Sequence, residues 1–265
     1  MWLAAVAIVA SMSGTATVRS GDAAPQPVKL FDWVADGTTI EVAKGGSVTL
    51  AFANGTRYEL SEGARATLGA NGFTSITGKK RDLTAVPPLP NVAAIASTGE
   101  QTRPAAFRVR GAKITGLYPH AGASALANET TLRFDAVPQA ARYKVEIEDE
   151  AGSTLLEVET DTPSVVVSPG VLAAGQHYYW RVRTLDSGVS ARGESDFTTL
   201  SAEHAASRNA LRKAAIADAS SLPLLAEIDR RLGLLYEANQ ELREAAAKAP
   251  NDAALQAAVA SQAPQ

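Results

Sequence analysis

The chain has 265 residues, 46% hydrophobic and 20% charged, which suits a folded protein of two or three small domains and excludes wholesale disorder. The absence of Cys excludes disulfides, thiolate metal sites, a Cys nucleophile and a lipid-modified N-terminal Cys. With 25 Lys+Arg against 28 Asp+Glu there is no basic excess to point to nucleic acid, and three His and two Met leave little for imidazole or thioether chemistry.

Residues Trp2 to Ala10 are nearly all apolar, and small residues and a polar, Pro-containing stretch follow. The pattern predicts the apolar core and cleavage region of a secretory signal, although no Lys or Arg precedes Arg19. The alternative is a buried apolar strand or helix of the first domain. The run is short for a bilayer span, and no later stretch reaches 18 uninterrupted apolar residues, so no transmembrane span is expected in the mature chain. Residues 1–27 are therefore expected as a signal-like or disordered N-terminus. The mature protein is expected to be exported, periplasmic or on the surface of a bacterial envelope.

From 28 to 86 the apolar positions alternate. Val48, Leu50 and Phe52 share one face, Asn54-Gly55 supplies a hairpin turn, and Tyr58 and Leu60 resume the register. A second turn is expected at Asn71-Gly72, between Ala66–Leu68 and Phe73–Ile76. The segment predicts a small antiparallel β domain. The run LFDWVADGTTIEVAKGGSVTLAFANGTRYELSEGARATL resembles the FecR-type periplasmic domain in its order of strands and Gly-containing turns. Residues 87–112 carry Pro87, Pro88 and Pro90 and read as a stiff linker, since Pro cannot donate to a ladder.

From 113 to 200 the alternation is clearest: Leu132 and Phe134, then Tyr143, Val145 and Ile147, then Leu156 and Val158, then Tyr178, Trp180 and Val182, with Phe197 closing the series. Short strands at turn-punctuated spacing predict an antiparallel sandwich. The run LAAGQHYYWRVR resembles the tyrosine corner and following strand of the fibronectin type III family, with Leu172, Gly175 and Tyr178 at the family's positions. The resemblance implies that the Tyr178 phenol bonds to upstream backbone and that Trp180 points inward against Phe134 and Tyr143. The family's usual Trp on its second strand is Phe134 here.

From 201 to 265 the composition turns helical. Leu224, Leu225, Ile228, Leu232 and Leu235 form an apolar stripe, as do Ala238, Leu242 and Ala245, and Asn251-Asp252 is placed to cap a helix over Ala253–Ala260. GLLYEANQELREAAAKAPND resembles the second helix of a tetratricopeptide repeat, with Gly233 at the turn before it. A lone repeat needs a surface to pack on, in this chain or another. An apolar groove or edge is therefore expected at Leu225, Ile228, Leu232 and Tyr236 for a protein partner, with packing inside the tail as the plainer alternative.

Catalytic patterns are not evident. His120, His177 and His204 lie far apart in sequence, and none sits in a recognised metal or nucleophile motif. Glu146, Glu148, Glu157 and Glu159 alternate with apolar residues and predict a solvated sheet face rather than a metal or glycosidase site. Charge separates by segment: residues 116–200 hold 6 Lys+Arg and 12 Asp+Glu, whereas 28–115 hold 11 and 7. The run Lys79-Lys80-Arg81 reads as a solvated turn. The expected protein is multi-domain and mainly β: a small antiparallel β domain, a fibronectin type III-like sandwich and a short helical tail. Its expected role is a non-enzymatic envelope scaffold without cofactor or metal, binding protein and, through its β domains, peptidoglycan or another glycan, with Trp33 the candidate aromatic. The alternatives are a carbohydrate-binding module and a FecR-like regulator that signals to a sigma factor, a role that needs a spanning helix not evident ahead of residue 28.

Overall fold

A computed structural model describes residues 5–90, 112–186 and 188–261. It divides into two compact units. Described residues of the first fall in 5–90, 206–231 and 237–261, and those of the second in 112–186, 188–205 and 232–236.

The first unit opens with β1 (Ala5–Ser13), β2 (Ala16–Ser20), β3 (Gln26–Pro27), β4 (Trp33–Ala35) and β5 (Thr38–Val42). It continues with β6 (Ser47–Phe52), β7 (Arg57–Ser61), β8 (Arg65–Gly69), β9 (Gly72–Thr77) and β10 (Lys80–Leu83). These make two antiparallel sheets, β10-β7-β6-β1-β4 and β3-β2-β5-β8-β9. Ala7, Val9, Val48, Leu50, Phe52 and Leu60 of one sheet and Ile40, Val42, Ala66 and Leu68 of the other bury a shared core. The chain passes between sheets at Gly14, whose φ is +65° and where a Cβ would stand 2.8 Å from the backbone of Gly46. Only Gly combines that backbone with that approach. The expected hairpin forms at Asn54-Gly55 between β6 and β7. The second turn falls one residue early, on Ala70-Asn71, with Gly69 paired to Gly72.

Residues 5–27, expected to stand outside the first domain, are three of its strands. Ala7, Ile8, Val9 and Ala10 are all at most 1% exposed, because β1 lies between β6 and β4 in its sheet and is covered on both faces. A strand buried on both faces has no reason to alternate. Its apolar run is therefore indistinguishable by composition from a signal core, and the alternative reading of a buried strand is the one the fold adopts.

The second cover on β1 is helical. After α1 (Ala202–Ala217) and a 3-10 turn (Ala219–Ser221) come α2 (Leu222–Arg231), α3 (Leu235–Lys248) and α4 (Ala253–Ala260). α2 and α4 pack on β1, opposite the sandwich core. Eight consecutive residues of α2, Leu222 to Asp229, are buried, so this helix is covered all round. Asp252 caps α4 as expected, accepting from the N–H groups of Ala254 and Leu255. Most of the tail expected as a separate module, residues 206–231 and 237–261, thus completes the first β unit, whereas residues 201–205 and 232–236 belong to the second. No described helix is long and apolar enough to cross a membrane.

The second unit contains β11 (Ala112–Lys113), β12 (Ala123–Ala125), β13 (Thr131–Arg133) and β14 (Tyr143–Asp149). It continues with β15 (Thr154–Thr160), β16 (Ser164–Val166), β17 (His177–Thr184) and β18 (Ala191–Thr199). The larger sheet runs β11-β18-β17-β14-β15, with β12 also parallel to β18, and β13 pairs with β16 in the smaller one. Trp180, Tyr143, Phe134, Val145, Ile147 and Phe197 fill the space between. Of the expected linker, Leu89 N–H donates to the Ala53 carbonyl and so belongs to the first unit, while residues 91–111 lie outside the described residues.

Candidate functional site

In the sandwich, the tyrosine corner forms as expected. Tyr178 Oη accepts from the Ala173 N–H at 2.7 Å, and Trp180 Nε1 donates to the Pro119 carbonyl at 2.9 Å inside the core. These bonds let two large aromatics be buried without orphaned polar atoms.

The same alternation that turns Tyr178, Trp180 and Val182 inward turns His177, Tyr179, Arg181 and Arg183 outward on β17. Lys144, Glu146 and Glu148 project the same way from β14, and Arg192, Glu194 and Asp196 from β18. Lys144 Nζ reaches Glu157 at 2.7 Å and Glu146 at 3.0 Å, and Arg181 binds Glu146 at 2.6 Å and also Glu148. Glu157 and then Glu146 hold the Lys144 ammonium above its ordinary pKa. Partial burial works against ionised Glu146, but Lys144 and Arg181 outweigh it and keep the carboxyl below its usual range. His177 Nε2 lies 3.0 Å from Asp196 Oδ2 and packs edge-on against Tyr179, which is 50% exposed. The acidic residues read from the sequence as a solvated face are therefore members of an interlocked ionic grid beside an exposed aromatic.

The residues expected to form a groove in the tail are placed otherwise. Leu225, Ile228 and Leu232 are at most 1% exposed. Tyr236 is half-buried against Tyr118, with the Arg133 guanidinium 4.3 Å from its ring centroid. The groove is corrected to core: the stripe's apolar side is spent within the chain, as the plainer alternative had it. Trp33 is half-buried too, its Nε1 3.5 Å from Glu227 Oε1 and its ring beneath Arg231, so it does not stand free as a sugar platform.

Three polar assemblies in the first unit were not found by sequence. Arg208, fully buried on α1, donates from Nε and Nη2 to Asp229 at 2.7–3.1 Å and from Nη2 to Glu241 at 2.9 Å. Burial, and then the charge of Asp229, pushes Glu241 up to about 9, and burial also raises Asp229. One buried cation balances one anion, and Arg208 grips Asp229 with more bonds, so Glu241 is the group that keeps its proton. The second assembly is Arg57 on β7, which donates to Ser221 Oγ at 2.6 Å, Ser220 Oγ at 2.8 Å and Asp218 at 3.1 Å. Burial works against ionised Asp218, but its bonds from Ser220 and Arg57 prevail and hold it below its ordinary value. The third is Glu227, whose buried carboxylate accepts from Arg230 and Arg231 at 2.7–2.8 Å. A signal for the first was present: Arg208 shares a stripe with Leu211 and Ala215, and Glu241 one with Ala238 and Ala245.

His120, His177 and His204 stand on separate elements, and among the described residues no three metal-ligating side chains come together. The run Lys79-Lys80-Arg81, expected as a turn, leads into β10, where Arg81 pairs with Glu59 and Lys80 with Asp82.

No family model matches the chain, and no curated protein matches it. Among solved structures, a fibronectin type III-like protein from Clostridium thermocellum aligns with 32% of this chain and 90% of its own, at 24% identity and a TM-score of 0.25. A two-domain fibronectin type III segment of chicken tenascin aligns with 70% of this chain and 83% of its own, at 11% identity and a TM-score of 0.29. The protein is mainly β, and its second unit is a fibronectin type III-like sandwich by its own topology and tyrosine corner.

Proposed function

We propose that the protein is a non-enzymatic interaction protein of the bacterial envelope, and that it binds through the outer face of the larger sandwich sheet. The observation that carries this reading is the contiguous outward set on β14, β17 and β18, in which Tyr179 stands half exposed within a dense ionic grid. A sheet face preset by reciprocal ion pairs offers ordered donors and acceptors at little further entropic cost. An amphipathic aromatic at its centre is the side chain that most often anchors an interface. The buried Arg57, Arg208 and Glu227 groups make their hydrogen bonds to side chains of their own unit, which supports a structural role for them. The envelope location rests on the FecR-type resemblance of the first β unit, and the helical segment no longer supplies the contact surface. The test is a photo-crosslinkable residue placed at 179 in the full chain, compared with one at 75 on β9. Discrete adducts from position 179 alone, in intact cells, are expected. Equal adducts from both positions, or none from 179, overturn the reading.

A further inference from the structure

One row of the sandwich face departs from the charge logic of its neighbours. Strand register sets Lys144 opposite Arg183, Arg183 opposite Arg192, and Arg192 opposite Lys113 on the parallel edge strand β11. Directly paired residues point to one side, so four cations cross four adjacent strands in a line. Lys144 is neutralised by Glu146 and Glu157, but Arg183, Arg192 and Lys113 form no ion pair among the described residues. All three are exposed. The nearby carboxylate of Asp186 is turned to the backbone, where one oxygen accepts from the N–H groups of Ala141 and Arg142 at 2.8 and 2.9 Å. Like charges set directly opposite on adjacent strands repel; in the row next to this one Glu146, Arg181 and Glu194 alternate in sign across β14, β17 and β18, and where Glu157 of β15 faces Glu146 the Lys144 ammonium bridges the two carboxylates. Beside the cations lies a recess of about 380 Å³ lined by Arg183, Arg192, Ser190 and Asp186.

We propose that Arg183, Arg192 and Lys113 form a binding strip for a linear acidic glycan, one carrying carboxylate or phosphate groups along its length. The proposal rests on the interaction reading above and names the class of ligand for the same face. Strand spacing places neighbouring cations about 5 Å apart, so the strip meets successive acidic groups of an extended chain rather than one compact anion. Two adjacent guanidinium forks suit bidentate contact with carboxylate or phosphate, and the ammonium at the sheet edge extends the strip by one point charge. The recess beside the two arginines has room for a sugar ring, with the Ser190 hydroxyl as a neutral partner.

The test is affinity electrophoresis of the full chain through gels containing polygalacturonate, a glycerol-phosphate polymer, neutral dextran or single-stranded DNA, each at low and high salt. Retardation by at least one of the two acidic polymers, weakened by salt and absent with dextran, is expected, and comparison of the two identifies the acidic group. The double variant R183Q/R192Q should lose at least ten-fold in apparent affinity, whereas Arg65→Gln, at an exposed cation of the first unit that pairs with Glu41 at 3.2 Å, should stay within two-fold. All three substituted side chains are exposed, and thermal melts confirm that each variant is folded. No retardation by either acidic polymer, retention unchanged in R183Q/R192Q, or stronger retardation by DNA than by both glycans overturns the proposal. Crosslinking from position 179 that persists in R183Q/R192Q while glycan retention fails to appear would sink the strip and leave the interaction reading standing. Glycan retention without adducts at 179 would do the reverse.

Discussion

The two units handle charge in opposite ways. In the first, the decisive ionic groups are inside: Arg208 and Asp229 are fully buried, Arg57 nearly so, and each is held by partners from other elements. In the second, the interior is an aromatic and aliphatic core around Trp180, and the ion pairs lie on the outer sheet face. Buried charges stabilise little when intact but cost much when one partner is removed, whereas exposed pairs contribute little either way. Charge deletion should therefore damage the first unit and leave the second almost unmoved, and truncation of a large aromatic is what should damage the second.

The largest expected effect is Arg208→Ala. It leaves two buried carboxyl groups without their cation and should cost about 3–5 kcal/mol, read as a lower urea midpoint for the first unit. A midpoint equal to the parent's would dissolve the contrast. Trp180→Ala should cost the second unit about 3–5 kcal/mol by opening a cavity, and a variant as stable as the parent would mean that Trp180 does not hold the sandwich together. Tyr178→Phe, which removes the acceptor of the Ala173 N–H at the tyrosine corner, should cost about 1 kcal/mol.

Glu241→Gln sharpens the comparison through pH. The folded-state pKa of Glu241 is raised to about 9, above its ordinary carboxyl value, so the folded state binds the extra proton. Stability from that proton is present below the ordinary carboxyl range and is lost as pH climbs toward 9. The parent's melting temperature should fall more steeply between neutral and alkaline pH than that of Glu241→Gln, and parallel curves would place Glu241 outside the titration. The smallest effect is expected for Arg181→Gln, within about 0.5 kcal/mol, because its side chain is 46% exposed. A loss of several kcal/mol there would show that the outer grid holds the sandwich together.

The sandwich was legible because one of its faces is wet. Tyr143, Val145 and Ile147 alternate with Lys144, Glu146 and Glu148, and the Leu172-Gly175-Tyr178 spacing marks the corner. β1 was illegible as a strand for the converse reason: with Ile8 and Ala10 covered on one side and Ala7 and Val9 on the other, no period remains to be read. The Arg208 assembly draws on three helices separated by many residues, and nothing local distinguishes Asp229 from a solvated carboxylate until α2 is seen to be covered all round. The basic row was hidden because Lys113, Lys144, Arg183 and Arg192 are scattered in sequence, and only register lines them up.

β1 lies near the start of the chain, and the helices that close over its outer face are written more than 200 residues later. During synthesis the opening sheet must therefore wait, one greasy side bare, while everything between is made. The sandwich, whose strands leave the ribosome nearly in succession, is positioned to finish first although it is encoded second. For this protein the hazardous interval is that wait, in which an uncovered sheet is available to chaperones, or to another copy of itself.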